Sequence, residues 1–216
     1  MRLYVDSADR AAIQRALSTG YAAGVTTNPT LLRRAGLRRG DLPALVRTAA
    51  DAGAEEIHLQ VLAPGVEGMI SDGRWLQELD PARVVVKVPA TLDGYAAASR
   101  LAAAGVRVTV TAVYVPRQLL LAEAVSARYA AVYMSRMRDA GQDALAVIAA
   151  MLQVTRAQQM ELRLLVASVR TPEDVEALAA LGAPCATLPL DLFLALPDVP
   201  DTEDASRVFE EDGADL

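Results

Sequence analysis

The sequence predicts a single-domain α/β protein, a (β/α)8 TIM barrel with a short C-terminal helix. Three observations carry that expectation. Short apolar, β-branched runs alternate with Ala- and Leu-rich stretches of helical spacing through most of the 216 residues. Residues that start and stop helices stand between them. The runs number eight, enough to close a parallel barrel. A doubly wound open sheet is the alternative, but no Gly-x-Gly-x-x-Gly follows the first run.

The first run, 3–6, leads into a helix over 8–17, with Ser7 as its N-cap and Gly20 beyond its end. The second, 22–26, meets Thr27-Asn28-Pro29, where Asn-Pro favours a turn, and the next helical pattern is 43–52 with Pro43 in its first turn. Runs 56–61 and 83–88 precede helices over 66–79 and 92–104. Runs 106–111 and 129–133 precede helices over 116–127 and 143–158. Run 162–168 precedes a helix over 172–181 that Thr171-Pro172 opens and Gly182 follows, and 185–188 is the last run. Residues 1–197 are thus read as the barrel domain, and 198–216 as an acidic helix or tail. Ala205, Val208 and Phe209 recur there at helical spacing, a face suited to docking on the barrel or on a neighbouring subunit.

Composition narrows the function. A chain that is 53% hydrophobic but 4% aromatic builds an aliphatic core. Its net charge of −6 argues against a nucleic-acid partner. No uninterrupted apolar run reaches about 18 residues, so no membrane span is expected. Met1 leads at once into strand-like sequence, which is read as the absence of a signal peptide. A single cysteine, Cys185, excludes an internal disulfide, suits a cytoplasmic location and is read as a small buried hydrophobe.

Lys87 is the only lysine among 21 Lys and Arg residues, and it interrupts Val84-Val85-Val86-Lys87-Val88. On position alone, chance survival in an arginine-rich chain and chemistry are equally good accounts. Arginine offers no amine that adds to a carbonyl, whereas a desolvated lysine loses its proton and becomes a nucleophile. Groups at the C-terminal ends of barrel strands gather at one mouth. There the sequence places Asp6, Thr26-Thr27-Asn28, Gln60, Lys87, Thr111, Tyr133 with Arg136 beyond it, and Ser168 with Arg170. The eighth strand offers only Thr187 and the loop residue Asp191.

Each has a plainer reading. Asp6 serves equally as a helix cap, Asn28 as a turn residue, Gln60 as a barrel-layer amide, Tyr133 as a core aromatic, and Arg136 and Arg138 as surface charges. Met134 and Met137 read most simply as core. His58, the only histidine, has the parity of Gln60 and belongs one layer deeper, as a satisfied core imidazole. One histidine and one cysteine leave no zinc set and no Ser/His or Cys/His arrangement. Amine, carboxylate, amide, hydroxyl and phenol remain, the groups of a cofactor-free Schiff-base enzyme.

Several segments then resemble a known family. Gly24-Val25-Thr26-Thr27-Asn28-Pro29-Thr30 is similar to the motif after the second strand of the transaldolase and fructose-6-phosphate aldolase family. Val86-Lys87-Val88-Pro89-Ala90-Thr91 resembles its Schiff-base segment. Leu3 to Ala8, Thr111 to Tyr114, Tyr133 to Arg136 and Thr187 to Asp191 match in order. The resemblance implies a class I aldolase barrel acting on sugar phosphates and dihydroxyacetone, with no cofactor. Lys87 would form the imine, and Asp6 and Asn28 would hold dihydroxyacetone hydroxyls, with Asp6 a proton acceptor. Arg136 and Ser168, with charge from Arg170, would hold phosphate.

Gln60 and Tyr133 resemble the aldolase branch, where the transaldolases usually carry glutamate and phenylalanine. With Thr111 they would hold a water that protonates the enamine and assists its hydrolysis. The expectation is therefore reversible cleavage of fructose 6-phosphate to dihydroxyacetone and glyceraldehyde 3-phosphate. Transaldolase activity is the first alternative, and a non-catalytic sugar-phosphate-binding barrel the second. Ala90, His58 and Val169-Arg170 depart from the family pattern and bear on acceptor size and phosphate preference. The resemblance also implies a homo-oligomer, a decamer with exchange of C-terminal helices.

Overall fold

The computed structural model describes residues 1–214, so the last two positions of the predicted acidic tail lie outside the described residues. Eight parallel strands form the barrel: β1 (Arg2–Asp6), β2 (Ala22–Thr26), β3 (Glu56–Gln60), β4 (Val84–Pro89), β5 (Val108–Val113), β6 (Tyr129–Tyr133), β7 (Arg163–Ala167) and β8 (Cys185–Leu188). They pair in sequence order, and β8 returns to β1 to close the circle. Around them lie α1 (Arg10–Leu17), α2 (Pro29–Arg34), α3 (Leu42–Asp51), α4 (Val66–Glu78), α5 (Leu92–Ala103), α6 (Arg117–Ala124), α7 (Met134–Asp139), α8 (Ala144–Ala157), α9 (Pro172–Ala180) and α10 (Leu190–Ala195). A last helix, α11 (Pro200–Gly213), follows. Among the described residues, no helix is long and apolar enough to cross a membrane.

Strand alternation sorts the side chains into two cores. On β4, Val84, Val86 and Val88 join the aliphatic layer with Ile57, Val110, Val132 and Leu164. Val85 belongs instead to a small cluster with Tyr4, Tyr129, Leu165 and Cys185. Lys87 shares the parity of Val85, so the valine-rich strand carries its one amine on the barrel-interior side. Parallel register then sets its neighbours, pairing Gln60 with Lys87, Lys87 with Thr109, and Asp6 with Thr26.

The opposite end of the barrel interior is filled by a polar cluster. Glu56 accepts hydrogen bonds from the hydroxyls of Tyr4 (2.6 Å) and Tyr129 (2.8 Å), and Arg107 and Arg2 lie 3.3 and 3.7 Å from its carboxylate. Burial works against that charge, but the His58 ring and the two phenol bonds outweigh it and hold the carboxyl well below the usual range. His58 is fully buried, with Tyr4 and Tyr129 edge-on to its ring and Thr109 Oγ1 3.0 Å from its Nδ1. Its Nε2 lies 3.8 Å from Glu56 Oε2, near enough to act on that charge but beyond hydrogen-bond reach, and has no other partner among the described residues, so the expected core imidazole is half satisfied. Cys185 is buried, and desolvation pushes its thiol up to about 11.

Several boundaries differ from the sequence reading. Asp9, not Ser7, caps α1: its carboxylate accepts from the Ala12 amide at 2.8 Å, while Ser7 Oγ accepts from the Asp9 amide. Helices α2, α7 and α10 were absent from that reading. Each has six residues, too few for a helical period to register. β5 runs over Val108–Val113 instead of 106–111, and near its end Ala112 takes a left-handed φ of 62° where the pairing with β6 shifts register. Thr171 does cap α9, and Pro43 does stand in the first turn of α3. The C-terminal helix forms, yet none of its residues is buried, and Phe209 is 71% exposed.

Candidate active site

Lys87 is 4% exposed, and its Nζ donates to the Thr27 carbonyl at 2.6 Å. Desolvation holds its pKa below the ordinary lysine range, and the Asp6 carboxylate offsets this only in part. For Asp6, burial raises the pKa, while Lys87, a hydrogen bond from Thr26 and the charge of Arg136 pull it back. Each member of the pair thus moves toward the range in which protons are exchanged near neutrality.

Around this pair the strand ends converge. A cavity at the C-terminal end of the barrel is lined by Asp6, Thr26, Asn28, Lys87, Tyr133, Ser168 and Thr187, together with Ala131, Leu165 and Ala167. Thr26 Oγ1 donates to Asp6 Oδ1 at 2.6 Å and lies 2.7 Å from Thr187 Oγ1. Asn28 is the N-cap of α2, where its amide oxygen accepts from Thr30 and Leu31 at 3.0 and 3.1 Å. That use of the oxygen leaves the amide NH2 as its donor toward the cavity. The turn reading and the cavity reading of Asn28 therefore hold together.

Tyr133 hydroxyl and Thr111 Oγ1 lie 3.0 Å apart, and the Arg136 guanidinium stacks 4.6 Å from the Tyr133 ring centre. Burial raises the Tyr133 pKa, keeping the phenol protonated and able to donate. Gln60 is half-buried at the end of β3, beside Lys87 in register. Ser168 sits just after β7 in a left-handed conformation, φ 59°, costly for a residue with a Cβ. Its carbonyl is held there by the backbone amide of Ser135 at 3.2 Å and by the Ser135 hydroxyl.

The rim arginines differ in their partners. Arg138 pairs with Asp174 at 2.7 Å, and Arg170 makes a two-pronged pair with Asp139 at 2.9 and 2.6 Å. Arg136 has no carboxylate partner among the described residues. The resemblance gives the phosphate to Arg136 and Ser168 with Arg170 adding charge, and the structure pairs Arg170 with Asp139 at the surface.

Four residues were missed or passed over. Thr187 was noted as a strand end but given no role. Ser135 lay in a helix too short to be foreseen. Ala131 and Ala167 escaped notice because alanine carries no chemistry, although small side chains at inward strand positions, where large branched ones usually fill a barrel, signal room for a ligand. Among the described residues, no group of three His, Cys, Asp or Glu side chains converges as a metal site. The arrangement offers a desolvated amine, a half-buried carboxylate sharing its cavity, hydroxyl and amide donors, and a phenol at the rim.

A family model described as Transaldolase/Fructose-6-phosphate aldolase matches residues 3–215. The chain belongs to the transaldolase/fructose-6-phosphate aldolase family. Members similar to it include a probable transaldolase of Anaeromyxobacter sp. (strain K), 35% identical over 97% of this chain and 94% of that one. A probable transaldolase of Thermus thermophilus is 32% identical over 98% and 97%. A solved flavocytochrome b2 variant shares the barrel fold with a TM-score of 0.65 at 13% identity, covering 91% of this chain and 59% of that longer one. Membership of the transaldolase/fructose-6-phosphate aldolase family identifies an enzyme family whose model spans nearly the whole barrel.

Proposed function

We propose that this barrel cleaves ketose phosphates such as fructose 6-phosphate through an imine on Lys87 and hands on a dihydroxyacetone unit. The observation that carries this is the buried Lys87 amine, depressed in pKa, fixed at 2.6 Å by the Thr27 carbonyl and sharing a cavity with Asp6. The neutral amine adds to the ketone carbon and water leaves, giving the imine. The imine nitrogen is protonated; Asp6 takes the proton of the C4 hydroxyl, the C3–C4 bond breaks, and its electron pair passes into this iminium to form a neutral enamine. Glyceraldehyde 3-phosphate departs. Arg136, free of a carboxylate partner among the described residues, is the cation for its phosphate. Ser168 joins Arg136 at that phosphate, and Asn28 and Asp6 hold hydroxyls of the dihydroxyacetone fragment.

The enamine has two fates. Addition to an aldose phosphate is transaldolase chemistry, and the similarity to probable transaldolases favours it. Protonation and hydrolysis release free dihydroxyacetone, and the Tyr133–Thr111 hydrogen bond beside the cavity favours this second reading. Incubation with fructose 6-phosphate and borohydride should add the mass of a reduced ketose fragment to Lys87. No added mass would refute the Schiff-base reading. With erythrose 4-phosphate present, a seven-carbon product supports transfer, while free dihydroxyacetone without acceptor supports release.

The working unit is a homo-oligomer in the cytoplasm. The unburied α11, with Val208 and Phe209 on its surface, supports docking against another copy of the chain.

A further inference from the structure

We infer that Thr187 is a positioning residue of this site, acting through Thr26 to orient Asp6 and to set its readiness to take a proton. The inference rests on the Schiff-base reading, in which Asp6 is the base. Three side chains from three adjacent strands form a continuous line, Thr187 on β8, Thr26 on β2 and Asp6 on β1 between them in the sheet. The distances are 2.7 Å from Thr187 to Thr26 and 2.6 Å from Thr26 to Asp6. Thr26 and Thr187 are 1% and 2% exposed, so water does not compete for these bonds.

Proton counting gives the line a direction. A threonine hydroxyl has one proton. An ionised Asp6 only accepts, so Thr26 spends its proton on Asp6, and the Thr26–Thr187 contact is a hydrogen bond only if Thr187 donates. The order is Thr187 to Thr26 to Asp6, with each donor polarised by the charge at the end. When Asp6 takes a proton from the substrate, it becomes able to donate to Thr26. Thr26 can then donate to Thr187, whose proton is freed toward the cavity. No bond between heavy atoms changes in this reversal. The line holds the carboxylate in one rotamer and spreads its charge over two hydroxyls, favouring the ionised form.

Other charged or titratable groups face Asp6 as well. Lys87 on β4 and Arg136 on α7 favour its charge, and Tyr133 on β6 lies close enough to interact with it. Thr187 is separable from them because it reaches Asp6 only through Thr26. The test measures kcat/KM for fructose 6-phosphate with erythrose 4-phosphate as acceptor across the acid limb of the pH profile. Thr187→Val keeps the side-chain shape and removes the donor. It is expected to lower kcat/KM about five- to tenfold and move the acid limb upward by about half a pH unit or more. Thr187→Ser is expected to restore both.

In a Thr26→Val background, Thr187→Val should add little, because the line is already cut. An unmoved acid limb in Thr187→Val, additive losses in the double variant, or failure of Thr187→Ser to restore the profile would each overturn the inference. If Thr187→Val does not fold, the comparison of Thr187→Ser and Thr187→Ala decides: only the serine variant should keep the wild-type limb. Borohydride trapping separates the two readings. An adduct in every variant with no change in pH profile sinks the role of Thr187 alone, whereas no adduct in the unaltered protein sinks the Schiff base beneath it.

Discussion

At the scale of single residues, Lys87 is placed where folding alone would not choose it. Burial depresses its pKa, so the unfolded chain holds a proton more firmly there than the folded one. Stability should therefore rise with pH toward the ordinary lysine range, about 10.4. Lys87→Met removes this burden, although it strips Asp6 of its counter-charge, and the net gain is expected to be about 1 kcal/mol at neutral pH, or about 2–4 °C in Tm. Thermal melts should show that margin shrinking at high pH; a variant no more stable than the parent, or a margin that grows with pH, contradicts the account. Tyr133→Phe removes the phenol that lies 3.0 Å from Thr111, so product analysis with and without acceptor should move toward transfer. An unchanged ratio would remove Tyr133 from the choice between fates. Most of this site was legible beforehand, because polar side chains ending apolar strands can hardly hide. Ser135 was not, and Thr187 was legible only as a strand end, since what gives them meaning is a contact between strands or segments distant in sequence.

At the scale of elements, closeness between strands has its own sequence requirement. A Cβ on Gly24 would come within 2.1 Å of the Glu56 carbonyl, so β2 and β3 approach as they do only because position 24 has no side chain. Gly24→Ala must push the strands apart at the level where Glu56 enters its cluster and two residues before Thr26. The expected cost is about 3 kcal/mol or more by chemical denaturation, with kcat falling as the Thr26–Asp6 contact is displaced. A fully stable, fully active variant would show that the strands can yield. The strand and long-helix pattern was readable from periodicity. The exceptions are informative: α2 and α7 carry Asn28 and Arg136 to the rim, and they are too short to announce themselves. The bulge at Ala112 likewise has no local signal, since alanine seldom adopts a left-handed φ and does so here through the pairing of β5 with β6.

At the scale of the whole molecule, the barrel is complete by α10, and α11 adds nothing to its core. Truncation after Leu196 is expected to leave the barrel folded by far-ultraviolet circular dichroism while reducing the assembly mass in sedimentation. Loss of the fold would mean that α11 is required by the single chain, and an unchanged mass would remove it from the assembly. The last consequence belongs to the way the 21 basic residues are distributed. Arginine does not condense with sugar carbonyls as a primary amine does. With the only lysine 4% exposed, the folded surface offers no lysine amine for reducing sugars to glycate. On the proposed function, which puts aldehydes in its cavity, the protein is thereby spared slow self-inflicted damage. Prolonged exposure to glyceraldehyde should leave its surface unmodified apart from the α-amine, while an added surface lysine should accumulate brown, cross-linked product.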